Sequence, residues 1–75
     1  MTKADDNLIR MANRIGDFFE AMPDRDEALE GIAVHIRKFW TPAMRRDFLA
    51  SADARADNLR DVVRAAVERH RGLLA

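Results

Sequence analysis

The sequence predicts an all-α fold, a small bundle of three to four antiparallel helices. Apolar residues recur at spacings of three and four along four successive segments. No stretch alternates apolar and polar residues as a half-buried strand does, since Ile36 and Val62-Val63 keep helical phase. The breaks between segments are short, and short connections favour antiparallel neighbours.

The first helix is expected over residues 5–22. Asp5 or Asp6 can cap the free N–H groups of its first turn. Leu8, Ala12 with Met11, Ile15, Phe19 with Phe18, and Met22 then make one apolar stripe. Gly16 sits inside it. Glycine in a helix interior costs about 0.5–1 kcal/mol relative to alanine, and close approach of another helix is the usual reason to keep it.

Met22-Pro23-Asp24 ends that helix, because the residue before a proline is pushed out of helical geometry. Asp24 with Glu27 reads as a capping box that opens a second helix, residues 24–40. Its stripe is Leu29, Ile32, Ala33, Ile36, Phe39 and Trp40. Thr41-Pro42 is both stop and start. Thr41 is the expected cap of a third helix, residues 42–52, with Pro42 in its first turn, where a missing N–H costs nothing. Met44, Phe48, Leu49 and Ala52 form that stripe.

Ser51–Asn58 is polar and lacks glycine and proline, so helix could run through it. A break near Asp53–Asp57 is the favoured reading, with Asp57 capping a last helix over residues 57–71. Leu59, Val62, Val63, Ala66, Val67 and His70 are its stripe. Gly72 reads as a stop, leaving Leu73-Leu74-Ala75 as a short apolar tail.

Seventy-five residues make one domain, 1–75. A chain this short has about 4–11 kcal/mol of stability by the usual per-residue range. It has no cysteine, which removes disulfides, thiolate metal sites and thiol nucleophiles, and fits a reducing compartment. No apolar run approaches the roughly 20 residues that span a bilayer, and the acidic start lacks the pattern of a signal peptide. The expectation is a cytoplasmic protein with no membrane partner.

The formal net charge is zero but unevenly placed. Residues 1–34 hold four basic and eight acidic side chains, a balance of −4. Residues 35–48 hold Arg37, Lys38, Arg45 and Arg46 against Asp47, a balance of +3. A sequence-blind nucleic-acid binder needs a broad basic surface. A local basic cluster on a neutral chain suits a protein partner better.

Nothing in the chain assembles into a catalytic centre. The hydroxyls are Thr2, Thr41 and Ser51. His35 and His70 fall on different helices without ligand spacing. The three glycines form no phosphate loop. No catalytic, cofactor-binding or metal-binding residue is therefore assigned.

Two clusters stand out. Arg37-Lys38-Phe39-Trp40 with Arg45-Arg46 mixes charge and ring, as interface hot spots do. It reads equally as a core tryptophan under solvated arginines. Phe39 and Trp40 point about 100° apart on one helix, so one of them should approach the surface. Phe18-Phe19, with Met11 and Met22, widens the apolar surface of the first helix in the same way. That is either a partner site or a fully used three-way helix junction.

The runs DNLIRMANRIGDFFE and GIAVHIRKFWTPAMRR carry a family resemblance. Leu8, Met11, Ala12, Asn13, Ile15, Gly16, Phe18 and Phe19 match an L-x-x-M-A-N-x-I-G-x-F-F pattern. Gly31, Ile32, Ala33, His35, Ile36, Arg37, Phe39, Trp40, Pro42, Met44 and Arg45 match a G-I-A-x-H-[LI]-R-x-F-W-x-P-x-M-R run. Over residues 6–46 the chain resembles the delta subunit of soluble, NAD-dependent molybdenum or tungsten formate dehydrogenases. It departs from the family at SADARADN, where relatives often place a glycine-containing turn.

The resemblance implies a small non-catalytic subunit, or an assembly and stabilisation factor, that binds the large catalytic (alpha) subunit. The beta and gamma subunits are further candidate partners. Formate oxidation to CO2 with NAD+ as final acceptor would belong to those larger chains, which hold bis-molybdopterin guanine dinucleotide, iron–sulfur clusters and FMN. With the resemblance in place, Phe18, Arg37, Phe39, Trp40, Met44 and Arg45 are the residues expected to form or support the docking face. A small helical nucleic-acid-binding or regulatory protein is the alternative from a different class, and a self-associating bundle is a third reading.

Overall fold

A computed structural model describes the backbone of residues 3–75 and the side chains of residues 7–75. Its elements are α1 (Lys3–Glu20), α2 (Arg25–Phe39), α3 (Pro42–Ala54), a 3-10 turn (Ala56–Asn58), α4 (Asp61–Arg69) and α5 (Arg71–Leu74). The described residues contain helix and turn and no strand. The three to four expected helices become five, because the last predicted helix divides in two.

α1 starts at Lys3, so Asp5 and Asp6 fall inside it instead of ahead of it. Their side chains, and the capping expected of them, lie outside the described residues. At its other end the helix stops at Glu20, two residues before the expected end. The Met22 N–H reaches back to the Phe19 carbonyl at 3.0 Å, a tightened last turn ahead of Pro23.

The next two helices start at their expected caps, Asp24 forming its arm of the capping box. The Glu27 N–H donates to Asp24 Oδ1 at 3.2 Å, and the Met44 N–H donates to Thr41 Oγ1 at 3.2 Å, with Pro42 in the first turn. Asp24 and Trp40 flank α2 in extended geometry. α3 runs two residues past its expected end.

α4 starts four residues later than expected, and Asp57 lies in the 3-10 turn. Asn13 of α1 accounts for this. Its Nδ2 donates to the Asn58 carbonyl at 3.0 Å, and its Oδ1 accepts the Arg60 N–H at 3.0 Å. One amide thereby holds the chain on both sides of Leu59. Leu59 is extended and buried, a core anchor outside any helix.

His70 breaks the last helix at φ −121° and ψ 34°. Gly72 then sits within α5 at a non-positive φ, so it is not the expected stop. The break turns Leu74 into the core, where it is fully buried. The apolar tail read from the sequence is therefore core. Arg71 fixes α5 to α3 through a two-pronged pair with Asp53 at 3.1 and 2.7 Å.

One apolar core runs through all five helices, from Leu8 and Ala12 through Ile32, Ile36, Trp40, Phe48, Val62, Val63 and Val67 to Leu74. Burying a large aliphatic or aromatic side chain contributes roughly 1.5–3 kcal/mol. α2 is central, packed on α1, α4 and α5. At Gly16 an added Cβ would lie 2.5 Å from Val63 Cγ2 and 3.2 Å from Val62 Cγ1. The glycine is there because α4 crosses α1 at that point.

Candidate docking surface

Among the described residues, three large apolar side chains stand out of this core: Phe18, 75% exposed, Phe39, 71% exposed, and Met11, 41% exposed. The first and second belong to adjacent aromatic pairs, and in each pair the partner turns inward. Trp40 is 5% exposed and meets Phe48 edge to face, ring centroids 5.4 Å apart. Phe19 is half-buried and covers Gly31, where an added Cβ would lie 2.5 Å from Cε1. The 100° step between neighbours on a helix sends one ring of each pair in and one out.

The outward rings are connected. Phe18 packs edge-on against Phe19 at 5.1 Å, Phe19 against His35 at 6.3 Å, and His35 against Phe39 at 4.7 Å. The result is a row of four rings across α1 and α2. Arg14, Ile15, Phe18, Phe19 and His35 enclose a depression of about 350 Å³ at one end of the row. A second depression, lined by Asn7, Arg10, Met11 and Arg14, continues it along α1.

The six side chains expected at a docking face divide. Phe18 and Phe39 are at the surface. Met44 is half-buried against the core. Trp40 and Arg45, 9% exposed, lie inside. Arg45 Nη1 donates to the carbonyls of Arg37 at 3.2 Å and Trp40 at 3.0 Å. A cation thus closes the C-terminal end of α2, where helix carbonyls lack intrahelical partners and the dipole is negative. Arg37 is exposed but turns toward α5, donating to the carbonyls of Leu73 and Ala75 at 3.4 Å each. Trp40 and Arg45 can support a docking face only from beneath, by fixing the end of α2 that carries Phe39.

Arg14, Ile15, Phe19 and His35 were not in the expected set. Their signal was present as Phe18-Phe19 one heptad after Met11, and as His35 one turn after Gly31 and one turn before Phe39. It was obscured because a wide stripe is also what a three-way junction needs.

Charge is sorted around the rings. Asp17 and Glu20 of α1 both pair with Arg60, at 2.7 and 2.8 Å. The Glu20 hydrogen bond, then the charge of Asp17, hold the Arg60 guanidinium above even its ordinary high pKa. Asp26, Glu27 and Glu30 of α2 line a separate depression with Arg69 and His70. Among the described residues no group of three or more histidines and carboxylates could hold a metal ion. No helix among them is long and apolar enough to cross a membrane.

In comparison with protein families, residues 7–67 match the NADH-dependent formate dehydrogenase delta subunit, FdsD. The match takes in both aromatic pairs, Gly31, His35, the SADARADN segment and most of α4. It spans well over half of the chain, and the chain belongs to that family. No curated protein and no solved structure matches it.

Proposed function

We propose that this member of the formate dehydrogenase delta-subunit family is a small, non-catalytic component that binds the large catalytic subunit. It stabilises that subunit or assists its assembly in the cytoplasm. Formate oxidation with NAD+ would then be carried out by the larger chains, on their bis-molybdopterin guanine dinucleotide, iron–sulfur clusters and FMN. This chain's part is to cover and brace a surface of the catalytic subunit.

The observation that carries this reading is the exposed aromatic row. A chain this small has few large apolar residues, and leaving Phe18 and Phe39 in water forgoes burial that the fold could use. Aromatic side chains around a shallow apolar depression are the usual anchors of a protein–protein contact.

The test is a tagged pull-down of the wild type and of Phe18→Ala/Phe39→Ala, with formate-dependent NAD+ reduction measured on the eluate. Both substitutions are at the surface, so the variant folds. The wild type is expected to bring down the large subunit with activity, and the variant to lose it. Full recovery of active complex by the variant would exclude this face.

A further inference from the structure

Arg10 and Arg14 lie one turn apart on α1 and one turn before Phe18, so the three form a single line along the helix. Both arginines are exposed. Arg14 lines both depressions, which meet at it, and Arg10 lines the second. Among the described residues neither makes an ion pair or a side-chain hydrogen bond. The nearest acidic neighbour of Arg14 along the helix is Asp17, which Arg60 holds at 2.7 Å. The acidic residues of α2 line a different depression. Among the described residues, the two depressions are therefore lined by cations and by no carboxylate.

We infer that the segment docking on this face is acidic and amphipathic. It would insert one large apolar side chain between Phe18, Phe19 and His35, and set carboxylates opposite Arg10 and Arg14. The inference rests on the proposed function for the partner's identity, as a segment of the catalytic subunit, and adds the chemistry of that segment. The two arginines act in different ways. Arg14 borders the aromatic depression and can fork to a carboxylate beside the buried side chain. Arg10 extends the positive rim and steers the approach. An apolar centre holds the partner, and a charged rim sets how fast it is found and in which orientation.

Three double variants separate the charged rim from the apolar centre. Association and dissociation of the purified catalytic subunit are followed on the immobilised chain across a range of salt concentrations. Arg10→Glu/Arg14→Glu is expected to slow association by about tenfold or more at low salt and to flatten its salt dependence. Arg10→Lys/Arg14→Lys should keep most of the rate. Phe18→Ala/Phe39→Ala is expected to speed dissociation while leaving the salt dependence in place.

If charge reversal leaves association and its salt dependence unchanged while the phenylalanine pair weakens binding, the acidic segment is wrong and the docking face stands. If neither pair changes binding, or the wild type does not bind, the proposed function falls with the inference. A dimer of the isolated chain that Phe18→Ala/Phe39→Ala dissolves would assign the face to a second copy and overturn the inference.

Discussion

The ring of Phe19 occupies the space that a side chain at Gly31 would need, with Cε1 2.5 Å and Cδ1 2.7 Å from where its Cβ would be. This contact joins α1 to α2 through a ring that also lines the depression. Gly31→Ala should therefore affect docking more than folding. Alanine gains about 0.5–1 kcal/mol of helix propensity, which offsets much of the cost of moving the half-buried ring. The expected result is a thermal midpoint within a few degrees of wild type and measurably weaker capture of the catalytic subunit, read by melting and pull-down together.

Gly16 behaves differently because its neighbours are stiff. A Cβ there meets Val63 Cγ2 at 2.5 Å, and Val63 is a fully buried β-branched residue. Gly16→Ala is expected to destabilise by about 1–3 kcal/mol from overpacking, more than its propensity gain. Urea unfolding followed by the fluorescence of Trp40, the single tryptophan, measures it.

Arg45 has a structural task, with its guanidinium on the Arg37 and Trp40 carbonyls. Arg45→Met keeps the apolar stem and removes both hydrogen bonds. The expected loss is about 1.5–3 kcal/mol, the range for hydrogen bonds to a charged group, again by urea unfolding. Weaker docking should accompany it only through the displaced end of α2, so an excess of the catalytic subunit should restore binding.

Acid should loosen α5. The Arg71 hydrogen bond holds the Asp53 carboxyl below its ordinary pKa against an opposing desolvation, and the Arg71 charge adds to the lowering. A carboxylate with a depressed folded-state pKa contributes its full stabilisation above the unfolded value, about 3.9. That contribution is lost as pH falls through the lower folded value. The stability difference between wild type and Asp53→Asn should thus be constant at neutral pH and shrink below about pH 4. Denaturant melts of the pair across that range measure it. The partners are exposed, so the difference is small.

The sequence carried some of this fold openly and concealed the rest for identifiable reasons. Asp24, Thr41 and Pro42 signal helix starts through bonds made within four residues, and such local chemistry is legible. Gly16 was legible as a close approach, though not which helix approaches. The start of α4 was not legible, because it depends on an amide 45 and 47 residues away in Asn13. Leu74 was not legible as core, because the turn at His70 that buries it carries no proline or glycine of its own. The docking set failed in part for a similar reason. Trp40 and Arg45 have the residue types of a hot spot, and only their burial distinguishes support from contact. That one ring of each adjacent pair approaches the surface was legible from the 100° step, but which ring, Phe18 or Phe19 and Phe39 or Trp40, was not.

Hydrogen–deuterium exchange on the chain, free and bound to the catalytic subunit, tests the central claim most directly. Docking on the aromatic row predicts added protection in the second half of α1, around Ile15–Phe19, and in the last two turns of α2, around His35–Phe39. α4 and the 3-10 turn should exchange as in the free chain. Protection centred on α4, or none on α1 and α2, would contradict the account.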